Sequence, residues 1–338
     1  NYLIDGPSLL KKYDPLGMAN KWLTNSHKSE ENWLVHQPLK TWLKQPMLLI
    51  GGWWDPHLRG VLEIYKQSLK AGGNPELHIG PATHLNWWEE TCKLQLDFFN
   101  RHLKLTKKSD QENKYVNFWN LTTKKWQKDT SYITKKPTWS LKSKGLACLE
   151  SNEGTLDSNS NGSGIVTIVH DPWRPVPSIG GHLSPTPGEA DRIEIDKRTD
   201  IAIFSSDPFA KTFHLEGNPS LELVAFADQE GFDVCVALSI INKEKTTAKQ
   251  LSTGVLRVSG KEAKEPLLRK ISLFPLIADF EEGTSLRISI AGAAWPAIGI
   301  NPGDHNYPCE APNPNCLITT ISLMLWDSKL KISPLISL

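Results

Sequence analysis

From Pro46 the chain reads "PMLLIGG", a short run with apolar residues on both faces, a proline before it and two glycines after it. Such a run fits a strand buried on both sides of a mostly parallel sheet. The next segment, "LRGVLEIYKQSLKAGG", has the spacing of a helix closed by Gly72 and Gly73, and "PELHIGP" repeats the strand pattern. In "NWWEETCKLQLDFFNRHLK" the residues Trp88, Cys92, Leu96, Phe99 and Leu103 recur at helical intervals. Strand, helix, strand, helix up to about Leu105 is the pattern of an α/β sheet. The first forty residues, with Trp22, Trp33 and Trp42 among polar neighbours, are helix-prone and carry no strand signal.

After about Thr106 the pattern changes to short alternating strands punctuated by Gly, Pro, Asn and Asp. "FDVCVALSII" sets Phe232, Val234, Val236, Leu238 and Ile240 on one face, and "SLRISI" does the same with Leu286, Ile288 and Ile290. Both predict strands with one face buried. Many short strands with almost no helical periodicity predict a β-sandwich of jelly-roll type. The predicted organisation is residues 1–40 helical, 41–105 α/β and 106–338 all-β.

The chain has 338 residues, enough for two domains with separate cores. Its 38 Lys and Arg balance 37 Asp and Glu, which implies neither a basic face for nucleic acid nor an acidic tail. No apolar run is long enough to span a membrane. Five cysteines, Cys92, Cys148, Cys235, Cys309 and Cys316, form no CxxC pair and no metal-ligand pattern, so they read as reduced core thiols and the chain as cytoplasmic. Cys309 and Cys316 flank "CEAPNPNC" and could bridge in an exported protein. Asn120-Leu121-Thr122 and Asn161-Gly162-Ser163 match glycosylation sequons, which are frequent by chance. The N-terminus, "NYLIDGPSLL", has no charged leader region and reads as the middle of a protein.

Candidate chemistry lies where strands end. Asp55 follows "LLIGGWW" and His84 follows "IGPAT", one strand-helix-strand step later, so both side chains emerge at the same sheet edge. A carboxylate and an imidazole so placed are the orienting half of a catalytic triad: the acid fixes the tautomer while Nε2 takes the nucleophile's proton. Asp55 also fits an N-cap for the following helix, and His84 a satisfied loop histidine. The acid-before-histidine order agrees with α/β-hydrolases. Half-buried tryptophans often line clefts, and Trp53, Trp54, Trp87 and Trp88 cluster around the pair as candidates for binding an apolar acyl or aromatic group.

"LLIGGWWDPH" followed by "IGPATH" resembles the acid and histidine segments of the X-Pro dipeptidyl-peptidase and cocaine esterase-like hydrolases, which typically read GGWYD and GPWTH or GPWSH. "HDPWRPVPSIGG", "TDIAIFSSDPF", "GNPSLELVAFADQEGFDVCVALSII", "GVLRVS" and "GTSLRISIAGAAWPAIGINPGD" resemble their linker and C-terminal jelly-roll in order. Trp54 replaces the usual tyrosine and Ala82 the usual tryptophan. The resemblance implies a serine hydrolase, an acyl esterase or dipeptidyl-peptidase, with Asp55 as triad acid, His84 as triad base and no cofactor or metal. Its substrate would be a small ester, an amide or a short peptide.

The family's serine sits on a GxSYxG elbow upstream of the acid, and this sequence has no G-x-S-x-G. Ser8 in "DGPSLL" and Ser163 in "NGSGIV" are the nearest imitations and make no elbow. The resulting expectation is a truncated C-terminal portion: the end of a helical cap, the last part of the catalytic sheet and a complete β-sandwich. It would be inactive alone, with the N-terminal remainder of the same protein as partner or a second copy of the chain on an unpaired sheet edge. The competing expectation, from another function class, is a non-catalytic binding or structural subunit built on the jelly-roll.

Overall fold

The computed structural model describes residues 13–18, 21, 33, 36–103, 116–128, 137–304 and 312–336. The chain divides into two compact units, Asn1–Trp42 and Leu43–Leu338. Most of the predicted helical residues 1–40, including Trp22, lie outside the described residues, as does Cys309. In the first unit, Asp14 caps a turn by accepting the Met18 amide on its carboxylate at 2.9 Å.

The second unit begins with an α/β layer. Strand β1 (Leu48–Trp54) leads into helix α1 (Leu58–Lys70), strand β2 (Glu76–Thr83), helix α2 (Thr91–Leu103), and strands β3 (Val116–Trp119) and β4 (Trp126–Lys128). The sheet order is β1-β2-β3-β4, with β1, β2 and β3 parallel and β4 antiparallel. The alternating run in α1 buries Leu58, Leu62, Tyr65 and Ser68, and the Ser68 hydroxyl donates to the Leu43 carbonyl at 2.5 Å.

The remaining strands form an eleven-stranded sheet folded on itself as a jelly-roll-like sandwich. One end of its path runs β11 (Ala248–Ser259), β10 (Gly231–Ile241), β14 (Ser285–Ala291), β8 (Ile201–Ser206), β6 (Thr155–Asp157), β5 (Thr138–Lys142); the other runs β15 (Thr319–Ser333), β9 (Phe213–Ala227), β12 (Leu267–Ser272). Strands β7 (Ile165–His170) and β13 (Leu276–Phe280) pair with β15 and β9. This is the expected fold class, part of an α/β-hydrolase layer followed by a β-sandwich.

One expectation about the strands is corrected. β10 and β14 are buried on both faces rather than one. The segment from Val176 to Arg198 covers their outer side, packing Val176 and Ile195 near Ile201, Ile203, Ala291 and Ala293. It also plants Asp196 there, where the carboxylate accepts from Ser289 at 2.9 Å and pairs with Arg192 and Arg287 at 3.3 and 3.6 Å. The first sequon is structural: Asn120 is fully buried, accepts from Thr122 and Thr123, and donates to Asp279.

The α/β layer and the sandwich share one continuous apolar core. Arg59 on α1 donates to the Ser272 and Leu273 carbonyls at 3.1 and 3.0 Å and lies over the Phe274 ring at 4.5 Å. The turn after β3 adds a second tie, with the Leu121 amide donating to Ile277 at 2.9 Å. These contacts fix β1 and β2, and therefore their ends, against the sandwich.

Candidate active site

Register brings the acid and the histidine together. β1 pairs with β2 so that Trp54 lies opposite Thr83, after a shift between Gly52 and Trp54. Asp55 and His84 are the next residue on each strand. The close approach at the shift demands glycine, since a Cβ on Gly52 would lie 2.3 Å from the Ala82 carbonyl oxygen. Beyond β1 the chain turns into α1 with the Asp55 amide donating to Gly52 and the Leu58 amide donating to Asp55. Beyond β2, Thr83 and Asn86 close a tight turn through two hydrogen bonds of 3.0 and 3.1 Å, with His84 and Leu85 at its tip.

Asp55 is buried, at 5% exposure, and its Oδ1 accepts the His57 amide at 2.8 Å. The same oxygen lies 3.5 Å from His84 Nδ1, and the His84 side chain is 57% exposed. A buried carboxylate with a backbone donor is held in one orientation, and an imidazole facing it with one nitrogen leaves the other for solvent or substrate. The 3.5 Å separation exceeds a formed hydrogen bond. His57 joins them: its ring centroid is 5.0 Å from that of His84, at 52°. His57 does not sit at a strand end, so strand spacing alone does not pair it with Asp55. The turn into α1 nevertheless carries it to the pair.

The four tryptophans do not share one pocket. Trp53 and Trp54 are buried, the indole of Trp53 donating to the Trp119 carbonyl at 2.6 Å, and they face the sandwich near His182, Gln250 and Phe274. Trp87 and Trp88 line a groove of about 780 Å³ with Leu48, Ile50, Phe98 and Phe99. Trp88 lies flat against Gly80, where a Cβ would meet its ring at 2.4 Å. The aromatic row continues from Trp88 to Trp126 and Trp119, with centroids 5.3 and 5.6 Å apart. Trp126 and Trp119 belong to this row by strand pairing alone, and the sequence offered no spacing that would reveal them.

Two other histidines near the layer are held neutral. Burial, with Arg101 nearby, lowers His78 to about 4. Burial, with Arg59 nearby, does the same to His182, also to about 4.

The family model of the X-Pro dipeptidyl-peptidase C-terminal non-catalytic domain matches residues 104–327, most of the chain. The chain belongs to the family of this C-terminal non-catalytic domain. A second model, X-Pro dipeptidyl-peptidase (S15 family), matches residues 2–86, which include Asp55 and His84. Cocaine esterase of Rhodococcus sp. (strain MB1 Bresler) is 24% identical over 204 residues, 54% of this chain and 35% of its own length. Among solved structures, an aminopeptidase from a marine sediment Thaumarchaeota archaeon aligns with a TM-score of 0.68 at 16% identity, over 87% of this chain and 56% of its own. An α-amino acid ester hydrolase aligns at 0.67 and 17% identity, over 86% of this chain and 56% of its own. A CocE/NonD family hydrolase from Staphylococcus aureus aligns at 0.58 and 17% identity, over 86% and 54%. The chain thus spans about half the length of these solved relatives and about a third of the cocaine esterase.

The S15 match corrects three linked expectations: that the chain is a truncated piece lacking the nucleophile segment, that it is inactive alone, and that it requires an N-terminal remainder as partner. The S15 peptidase family is represented within residues 2–86 of the chain itself, so these expectations do not stand. They rested on one missing pentapeptide, whereas a family match sums over many positions. Within the described residues, the strand-turn-helix elbow of this segment is β1 into α1, and it carries Asp55.

Proposed function

We propose that this chain carries out serine-type acyl hydrolysis, with Asp55 orienting His84 and His84 moving the proton. His84 Nε2 accepts the proton of a serine hydroxyl as its oxygen bonds to an ester or amide carbonyl carbon. It returns that proton to the departing alcohol or amine, and water then releases the acyl group by the same sequence. The carrying observation is the buried carboxylate 3.5 Å from an exposed imidazole at adjacent parallel-strand ends. The relatives' names, an esterase, an amino acid ester hydrolase and an aminopeptidase, support a small ester, amide or short peptide as substrate. Trp87 and Trp88 offer an apolar surface for its acyl or aromatic group, whereas Trp53 and Trp54 act by holding β1 against the sandwich.

In this reading, the layer from β1 to β4 holds the acid-base pair, and the sandwich strands from β5 onward brace it; β3 and β4, which the sequence pattern assigned to the all-β region after 106, pair with β2 instead. No helix among the described residues is long and apolar enough to cross a membrane. Cys92, Cys148 and Cys235 form no disulfide, and burial pushes the Cys148 thiol up to about 12. A cytoplasmic protein fits these unpaired thiols.

A panel of p-nitrophenyl esters and X-Pro-anilides tests the proposal. Hydrolysis by the wild type should fall by several orders of magnitude in kcat in His84→Ala. Equal rates in the two proteins would remove His84 from the mechanism. The second reading, a binding subunit, is favoured by the non-catalytic domain that matches most of the chain. It predicts no hydrolysis in either protein.

A further inference from the structure

Asp55, His57 and His84 each offer one donor atom, and these three atoms lie within 4.8 Å of one another. We propose that they form a binding site for a divalent transition-metal ion, and that a bound ion blocks proton transfer by His84. The second half of this statement rests on the acyl-hydrolase reading; the first does not.

Two imidazoles and a carboxylate are the donor set that suits zinc and its first-row neighbours, and three protein ligands leave a coordination position for water. With metal-ligand bonds of about 2.0–2.2 Å, tetrahedral ligand atoms sit about 3.4 Å apart. Asp55 Oδ1 and His84 Nδ1 already stand at 3.5 Å. The third donor, His57, is exposed and lies within 4.8 Å of both.

The anchoring is unequal in a way that favours capture. Asp55 is buried and held by the His57 amide, while both histidine side chains sit on turns at the exposed edge. Among the described residues no hydrogen bond fixes the His57 ring, which instead rests against the His84 ring. The site therefore has one rigid ligand and two that can swing onto an ion.

The chemical consequence follows from which nitrogen is taken. A metal between Asp55 and His84 Nδ1 takes the place of the Nδ1 proton that would otherwise face the carboxylate. A neutral imidazole metallated at Nδ1 carries its proton on Nε2, and so has no lone pair there to accept one from a hydroxyl.

Isothermal titration of the full chain, freed of metal by a chelator, with zinc chloride at pH 7.5 tests the site directly. One equivalent should bind. His57→Gln and His84→Gln should each weaken binding by about 100-fold or more, since even an outer-shell partner costs 10–100-fold. His102→Gln, at a histidine on α2 outside the cluster, should leave it unchanged. Unchanged thermal midpoints confirm that the variants are folded. Cobalt in place of zinc supplies an independent readout, visible absorption bands of a nitrogen-oxygen site that both variants remove. No stoichiometric binding, or binding that persists in the His57→Gln/His84→Gln double variant, would overturn the site. Binding that both variants lose supports it whether or not hydrolysis is seen. Ester hydrolysis that continues at saturating zinc would overturn the blocking step and leave the acyl-hydrolase reading intact.

Discussion

Within the Leu43–Leu338 unit, the sandwich and the α/β layer bury their apolar residues to very different extents. β10 and β14 are enclosed on both faces, and β9 alternates buried and half-buried residues along most of its length. In α2 only Thr91 is buried, while Leu96, Phe99 and Leu103 are more than half exposed. Among the described residues, β1 pairs on one side only. Stability and the proposed chemistry are therefore assigned to different regions. The sandwich is cross-braced by a buried ion network, and the layer holding Asp55 and His84 is tied to it through Arg59, Asn120 and a shared core.

The largest effect expected from this contrast lies in the sandwich, far from the site. Asp196→Ala strands two buried guanidinium groups, Arg192 and Arg287, and removes the acceptor of Ser289. Urea unfolding should show a loss of about 3–5 kcal/mol. A loss below about 1 kcal/mol would show that the covering segment from Val176 to Arg198 is not what encloses β10 and β14.

A smaller effect should appear with pH, where the layer meets the sandwich. His182 and His78 titrate near 4 in the native chain against 6.5 when unfolded. Between these values the unfolded chain binds protons that the native one refuses. The stability they permit is therefore complete above about 6.5 and falls as the pH drops towards about 4. His214 runs the other way: Glu216 and Asp279 raise it, so its contribution is full below 6.5 and fades as the pH rises through its folded value. Thermal melts from pH 7 to 4 should slope less steeply in His182→Gln than in the wild type. Identical slopes would mean that His182 is solvated rather than packed on Phe274.

The smallest effect should come from the exposed face of α2. Phe99→Gln should change stability by no more than about 0.5 kcal/mol, because little burial is lost. A cost of about 2 kcal/mol in the same urea assay would show that this face is covered in solution, and would erase the contrast between the regions.

Much of this arrangement was legible in the chain. The two-faced run "MLLI" and the return of the same pattern at "LHIG" place two parallel strands. That is why Asp55 and His84 could be paired across one helix. Gly51 and Gly52, which the pattern sets at the end of the first strand, lie inside β1, where the close approach to Ala82 requires glycine at 52. What periodicity could not show was what lies outside a strand: β10 reads as half-buried until the Val176–Arg198 segment is laid over it. His57 escapes the sequence pattern for a related reason. A turn, rather than a strand end, carries it to the pair, and turn geometry leaves no periodic trace. Nearness in sequence to Asp55 and His84 groups the four tryptophans together, whereas the fold buries Trp53 and Trp54 and sets Trp87 and Trp88 along a separate groove. The nucleophile segment shows the limit of a short motif, whose absence was read as the absence of a region that a family match finds within residues 2–86.

The central claim is that Asp55 acts through His84, and Asp55→Asn tests it most directly. The amide keeps the shape of the side chain and an oxygen to receive the His57 amide, so the fold and its melting temperature should be unchanged. It no longer holds the Nδ1 proton of His84, so kcat for a p-nitrophenyl ester should fall by about 10⁴, as when the acid of a serine-protease triad is made neutral. A variant that melts with the wild type and hydrolyses the ester at the same rate would contradict the account.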